Sequence, residues 1–467
     1  MATGGTYTPG KAKVRPGVYI NFKSVNKNVT ATDTPGIVVI PFFNHTYGAA
    51  GEFITITADK LSELPKKLGY DIFSDNANML LVREALKVCA VVKAYICSSG
   101  GTKATVSLGE TVYGAEGVAT SGIKATAKYA GTRGNDLMFV ISDNVESGYD
   151  VAVYLGGEKV SSYEGLETAG DIEAINDDFV VFNALGDKAL APALTAGSKL
   201  TGGVDGTSTN TEYSKFLDAL DHTTFKAVCL PIEPTAENAS SMATAFVTKI
   251  KYLREKMGKT VRGCVAKHNA DYIGIDNVCN APILEDGTEL TVGQVTAYVA
   301  GLAAGSTELD NNTNKAYIGA VGLTAENNLS HEEIEEAILA GQFVFTLSES
   351  DEVVIEYDIN SLVHLSENQD ESYKKNRVIR TFDAIADAIK VQFPVGKFSN
   401  RESDYDIMDG LGATMLAKFQ EDGALTNVAE GDFAVDRNTS AGDSAFFKVA
   451  IQAVDSIVKS YFEISTK

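Results

Sequence analysis

Short unbroken apolar runs alternate with amphipathic stretches of helical period from Gly36 onward, and this alternation is interrupted once. Residues 37–42 are continuously apolar, as in a strand buried on both faces. Residues 59–68 read as helical despite Pro65, with Gly69 placed to end the helix. Residues 76–88 read as a second helix and 90–97 as a second strand. The alternation resumes with a helix over 211–220, a strand over 227–231, a long amphipathic helix over 236–257 and a strand over 261–266. Ser330 and Glu333 form a capping-box pair for a helix running to Ala340 and closed by Gly341, with a strand over 342–347. This grammar predicts an α/β layer structure.

The interruption lies between glycine-rich borders at 98–101 and 202–206 and has the period of strands. Val151, Val153 and Leu155 alternate up to Gly156-Gly157, and 159–163 continues beyond, which predicts a hairpin with a two-residue turn. Residues 131–136 read as a loop and 137–141 as a strand. An all-β domain inserted into a surface loop, outside the main core, is expected.

The ends differ again. The first 35 residues carry Pro9, Pro16 and Pro35 and no helix pattern. Arg15-Pro16-Gly17 predicts a turn before the short strand Val18-Tyr19-Ile20-Asn21-Phe22, so this region reads as an extended arm. Residues 376–391 carry Val378, Ile379, Phe382, Ile385, Ala386 and Ile389 at helical spacing, and 404–419 reads as a second helix. The chain then closes in two apolar stretches, 446–453 and 457–464, around Val454-Asp455-Ser456. They are expected to form a hairpin in which Phe447, Val449, Ile451, Ile457, Tyr461 and Ile464 need a sheet to join.

A length of 467 residues predicts about three domains. The chain is 44% hydrophobic, which excludes wholesale disorder. Lys and Arg total 40 against 62 Asp and Glu, a formal charge of -22, and a field of that sign repels DNA and anionic membranes. No run approaches the ~18 apolar residues of a membrane span, and no secretory leader is expected at the N-terminus. Cys89, Cys97, Cys229, Cys264 and Cys279 are odd in number and lack a Cys-x-x-Cys pair. They read as reduced buried thiols made in a reducing cytosol.

Catalytic patterns break at named positions. His331-Glu332-Glu333-Ile334-Glu335 begins like a zinc-binding helix, but Glu335 stands where the second histidine belongs. Met257-Gly258-Lys259-Thr260 ends like a phosphate loop, yet Leu253 occupies the first glycine position and Lys259 follows a helix. Gly442-Asp443-Ser444-Ala445-Phe446 ends in Phe446 where a nucleophile elbow needs glycine, and Gly206-Thr207-Ser208 is a small-residue loop. His45, His222, His268, His331 and His364 have no Cys or carboxylate at ligand spacing, and Asp177-Asp178 reads as a solvated pair. No enzyme activity, cofactor or metal is expected. One basic strip departs from the acidic background: Lys374, Lys375, Arg377, Arg380, Lys390 and Lys397 against Asp383 and Asp387. It reads either as a solvated helix start or as a cationic face for an acidic partner.

Together these segments resemble the contractile tail sheath proteins of bacteriophages and phage-derived particles. The arm from Arg15 to Ile20 resembles the family's N-terminal arm, residues 124–136 its inserted β domain and 200–206 that domain's exit. Residues 297–305 resemble its core helix, and 376–380 and 449–457 its C-terminal domain. Ala130 and Ala453 stand where many members carry proline.

The resemblance implies an N-terminal arm over 1–35, an α/β core over 36–98 and 207–365 and an inserted β domain over 99–206. A C-terminal sheath domain over 366–444 and a terminal hairpin arm over 445–467 complete it. It also implies a homo-oligomeric helical sheath whose arms exchange strands between subunits, and whose contraction drives a rigid inner tube through a cell envelope. The inner tail tube protein, baseplate and tail terminator proteins are the implied partners, with no direct nucleic acid and no membrane insertion. The implied location is the virion tail, assembled in the host bacterial cytoplasm. On this reading Lys374, Lys375, Arg377 and Arg380 face the tube. The rivals are the sheath of a phage-derived bacteriocin or secretion-like injector, and an α/β hydrolase-like enzyme with an accessory β domain.

Overall fold

The structure is a computed structural model of the chain and describes residues 36–109 and 120–465, with the backbone of 4–5, 18–19, 112–113 and 119. Thr34–Ala386 with Ala453–Lys467 make one compact unit, and Asp387–Gln452 belong to a second.

The larger unit is built on a six-stranded sheet. Its strands are β1 (Ile37–Phe42), β2 (Phe53–Thr57), β3 (Val91–Ile96), β4 (Ala227–Cys229), β5 (Arg262–Ala266) and β6 (Ile275–Val278). They lie in the order β6-β5-β4-β1-β3-β2, parallel throughout except for β2, which runs antiparallel to β3. Four helices cover the sheet: α1 (Ala77–Leu86), α2 (Asn210–Ala219), α3 (Ala239–Glu255) and α4 (Val292–Gly305). The unbroken apolar run of β1 follows from its two covered faces. Val38, Ile40 and Phe42 join one core with α1 and α4, while Ile37 and Val39 join the other with α2 and α3. The fold class is α/β, as the alternation predicts.

Local signals start several of the helices. The Asn76 side chain accepts from the backbone N–H groups of Asn78 and Met79, and Thr291 with Gln294 closes a capping box on α4. Ser330 and Glu333 cap the helix His331–Leu339 in the same way. Residues 58–68 are less regular than read, a 3-10 turn Ala58–Glu63 leading into the short helix Leu64–Leu68. Pro65 sits in the first turn, where its missing N–H has no partner to lose.

The inserted segment is a β-sandwich. One sheet orders Glu158–Leu166, Tyr149–Leu155, Leu137–Asp143 and Thr195–Lys199; the other orders Val180–Ala184, Ile123–Ala130 and Lys103–Leu108. Phe139 and Phe182 meet edge-on between them at 5.5 Å. The expected hairpin turns at Gly156 and Gly157 (φ 62° and 93°), a left-handed pair that side chains with a Cβ resist. Entry and exit strands pair with each other, Ser99 with Thr207, Thr102 with Val204 and Thr105 with Thr201. The insert also docks on the core. The Arg133 N–H donates to the Thr46 carbonyl at 3.2 Å, the Arg133 Nε donates to the Gly69 carbonyl at 2.9 Å, and Lys66 pairs with Asp178 at 2.8 Å.

Two further helices follow: α5 (Asn376–Gln392) and α6 (Glu402–Glu421). In the second unit Tyr405 and Met408 of α6 pack with Val435, Phe393 and Phe398. The Phe433 ring stacks on Phe393 at 5.3 Å and meets Phe447 at 5.6 Å. Gly412 of α6 lies against that stack, and a Cβ there would overlap the Phe433 ring. Gly412→Ala is expected to destabilise this unit by about 1–3 kcal/mol through overpacking. Hydrogen exchange should show early loss of protection over 402–435 with β1 and β3 unchanged. Unaltered protection would mean that Phe433 moves aside freely.

The expected C-terminal hairpin does not form. Phe447–Val449 pairs antiparallel with Phe433–Val435, Phe447 opposite Val435 and Val449 opposite Phe433, and residues 457–464 carry no strand. The cause is competition: the aromatic cluster captures the first stretch, and the residues read as the turn are held elsewhere.

Candidate assembly surface

Helix α5 presents Asn376, Arg380 and Asp383 at spacings of four and three, a polar stripe beside the buried Val378, Ile379 and Ile385. The stripe is interior, and every charge in it is matched. Asn376 Nδ2 donates to Asp276 Oδ1 and Asp358 Oδ1, both at 2.9 Å, and its Oδ1 accepts from Arg262. Arg262 also donates to Asp276 at 2.7 Å. Arg380 donates to Asp358 at 2.8 Å and to the carbonyls of Asp310 and Thr307. Arg254 grips Asp383 through two hydrogen bonds of 2.9 and 2.7 Å. Burial works to raise the Asp358 pKa, but the Arg380 guanidinium and the donated hydrogen bonds outweigh it and hold it below the ordinary value.

The cationic strip is corrected at one residue. Arg380, expected to face an inner tube, is 7% exposed and ion-paired inside the subunit. Lys374 pairs with Glu371 at 3.1 Å, Lys375 with Asp455, and Arg377 donates to Ser456. A charge that is buried must be paired, and sequence alone does not show which cations are buried.

Lys375 and Arg377 thus receive the C-terminal tail. Asp455 and Ser456, read as a turn, are held by them instead, and the Lys459 ammonium lies 5.9 Å over the Tyr357 ring. Burial opposes the Lys375 charge, yet the Asp455 carboxylate and the Tyr357 hydroxyl hold its pKa above the ordinary lysine value. Around these anchors Ile457, Tyr461, Phe462 and Ile464 each keep between 85% and 90% of their surface exposed. Phe447, Val449 and Ile451 are exposed as well, though in the second unit. Val18 and Tyr19 have their backbone paired in parallel with Gly4 and Gly5. Arg15, Pro16, Gly17, Ile20 and Phe22 lie outside the described residues. The sequence reading missed Tyr357, Asp455, Ser456, Lys459 and Phe462. The apolar pairs Ile457-Val458 and Tyr461-Phe462, set between the polar pairs Asp455-Ser456 and Lys459-Ser460, are the signal that could have found the tail residues.

The motifs that resembled catalytic ones have structural partners. Lys259 Nζ donates to the carbonyls of Leu220, Asp221 and Thr223 at 3.1, 2.7 and 3.2 Å, closing the chain after α2. Ser208 Oγ accepts from the Asn44 N–H at 3.0 Å. Asp177 is buried, contrary to its reading as solvated, and accepts from Ser161, Tyr163 and the N–H groups of Phe179 and Val180. All five cysteines are free thiols, and burial pushes the Cys89 thiol up to about 12. Among the described residues no helix is long and apolar enough to cross a membrane.

An α/β core with a docked β-sandwich, followed by a helical C-terminal region and an uncovered apolar tail, defines a multidomain structural class. Residues 99–205 match the phage tail sheath protein beta-sandwich domain, 206–361 the phage tail sheath protein central domain and 368–467 the phage tail sheath C-terminal domain. The chain belongs to the phage tail sheath family.

It is 34% identical over 492 residues to the uncharacterized protein YqbK of Bacillus subtilis, covering 99% of this chain and 100% of that one. It is 33% identical over 488 residues to the phage-like element PBSX protein XkdK of the same organism, covering 99% of each. The sheath tail protein of Desulfitobacterium hafniense is similar in structure, with TM-score 0.77, 30% identity and coverage of 94% of this chain and 97% of that one. The sheath tail protein of Listeria innocua gives TM-score 0.74, 31% identity and coverage of 92% and 94%. The helical sheath of the anti-feeding prophage in its contracted state shares the fold, with TM-score 0.56, 13% identity and coverage of 98% and 100%.

Proposed function

We propose that the chain is the structural subunit of a contractile tail sheath. Copies join head to tail in a contact that does not close, which yields a helical polymer around an inner tail tube. The sheath starts extended on a baseplate and is capped by a tail terminator. It contracts by rigid units sliding between two packings, driving the tube through the target envelope without nucleotide hydrolysis. Its place is the tail of the particle, assembled in the cytoplasm of a bacterial host.

The observation that carries this reading is the tail, whose apolar side chains at 457, 461, 462 and 464 are left exposed among the described residues. The N-terminal arm complements it. Fully extended, 35 residues reach on the order of 100 Å, far enough to join a neighbour's sheet edge. Deleting residues 1–22, or changing Val18 and Ile20 to Asp, is expected to abolish tubes in sedimentation and negative-stain microscopy while leaving the melting of the α/β core unchanged. Normal-length tubes from the truncated chain would defeat the arm-exchange reading.

A phage-derived particle without DNA delivery is the second reading, supported by the 33% identity to a protein of a phage-like element. Neighbouring genes for a capsid and DNA packaging would decide against it.

A further inference from the structure

We infer that Lys375, Arg377 and Tyr357 form an anchor that fixes where, and in which direction, the C-terminal tail leaves its subunit to meet a second copy of this chain. This rests on the reading of the tail as an inter-copy arm and adds the site that positions it.

Three contacts define the anchor, and all fall on polar tail residues. Lys375 pairs with Asp455, Arg377 donates to Ser456, and Lys459 lies over Tyr357. None of the anchor contacts is made by Ile457, Tyr461, Phe462 or Ile464, which stay exposed among the described residues. A self-blocking tail would bury those four side chains. This one holds its polar root and presents its apolar residues, the arrangement that suits delivery to another molecule.

The base of the anchor is rigid. Lys375 and Arg377 flank Asn376, which is locked by Arg262, Asp276 and Asp358 inside the fold. Ordering a loose tail on a partner removes backbone freedom at each residue, and an anchored root leaves only the last few residues to order. It also raises the effective concentration of the apolar end near the neighbour. The Lys375 and Asp455 side chains are 24% and 35% exposed, so the pair is reachable by salt yet not fully screened.

The test uses the full-length chain and compares Lys375→Glu, Asp455→Lys, the two combined, and a truncation after residue 459. Polymer is measured by sedimentation and negative-stain microscopy, and folding by thermal unfolding. Each single reversal is expected to cut the polymer at least tenfold with an unchanged melting temperature. The charge swap should restore it to within about twofold, and the truncation should form none. If the single variants polymerise normally while the truncation does not, the anchor is wrong and the arm reading stands. If the truncation also polymerises, the arm reading falls and the anchor with it. If the singles fail and the swap does not rescue them, the pair is not the cause and the inference is overturned.

Discussion

Arg262→Ala is expected to destabilise the larger unit by about 3–5 kcal/mol, because it strands a buried carboxylate. Arg262 lies on β5 and Asp276 on β6, 3% and 1% exposed, so the carboxylate left behind stays out of bulk solvent. Asn376 loses its donor at the same time, and with it the start of α5 loses part of its hold on the sheet. The Arg254–Asp383 pair and the Arg380–Asp358 pair remain, so helix α5 should loosen from its first turn rather than detach. Denaturant unfolding should show the lower stability, and hydrogen exchange should show protection falling first over 376–380. The double variant Arg262→Met with Asp276→Leu separates the causes. Replacing a buried pair by apolar side chains of similar volume is close to neutral, so it should recover most of the loss. A double variant as unstable as the single would assign the effect to packing or to Asn376 instead of the unpaired charge.

A second large effect is a dependence on acid that one histidine controls. His45 is buried beside Phe42, its Nε2–H donating to the Leu68 carbonyl at 3.0 Å and its Nδ1 accepting from Asn78 at 3.2 Å. Burial, outweighing the Leu68 hydrogen bond and the more distant Asp205, lowers its pKa to about 4 from 6.5. Above pH 6.5 neither the folded nor the unfolded chain protonates this ring, and the fold keeps the full benefit of the neutral form. Between 6.5 and about 4 the unfolded chain takes up the proton and the folded one does not, so stability falls with pH. By pH 4.5 the loss should be about 2 to 3 kcal/mol. Asp358 is also depressed and adds its own acid loss at lower pH, so the comparison needs a control. His45→Gln removes the titration while leaving the carboxylates. Its fall in unfolding free energy from pH 7 to pH 4.5 should be smaller than that of the parent by this amount. Equal falls would show that the ring is protonated in the folded state at little cost.

Elements whose cause is local were legible in the sequence. The two-faced strand β1, the Ser330–Glu333 capping box and the Gly156-Gly157 turn each depend on a few adjacent residues, and each stands where it was read. The terminal hairpin failed because both apolar stretches satisfied the strand pattern equally. Which partner Phe447 takes depends on Phe393 and Phe433, a choice made by packing and not by period. Arg380 was misplaced for a related reason. Lys374, Lys375, Arg377 and Arg380 look alike in sequence, and only the fold brings Glu371, Asp455, Ser456 and Asp358 to them. The tail residues were visible as apolar, but their root was not, since Asp455-Ser456 has the composition of any turn.

The paired borders of the β-sandwich have a consequence for how the chain folds. Strands β1 and β3 are close in sequence, yet β4, which must lie beside β1, begins only at Ala227, after the whole insert. Closing an unstructured loop of order 100 residues costs about 4 kcal/mol of chain entropy. Once the sandwich has formed from its nearby hairpins, Ser99 and Thr207 are neighbours and the effective loop shrinks to the pairs at its base. On a ribosome the insert emerges before α2, α3 and β4, so it can fold while the Ile37 and Val39 face of the sheet is still uncovered. The insert then works as a splint: it holds the two halves of the core sheet in register for the strand that completes it, and slow folding of the sandwich would lengthen the time that apolar face is open to other chains.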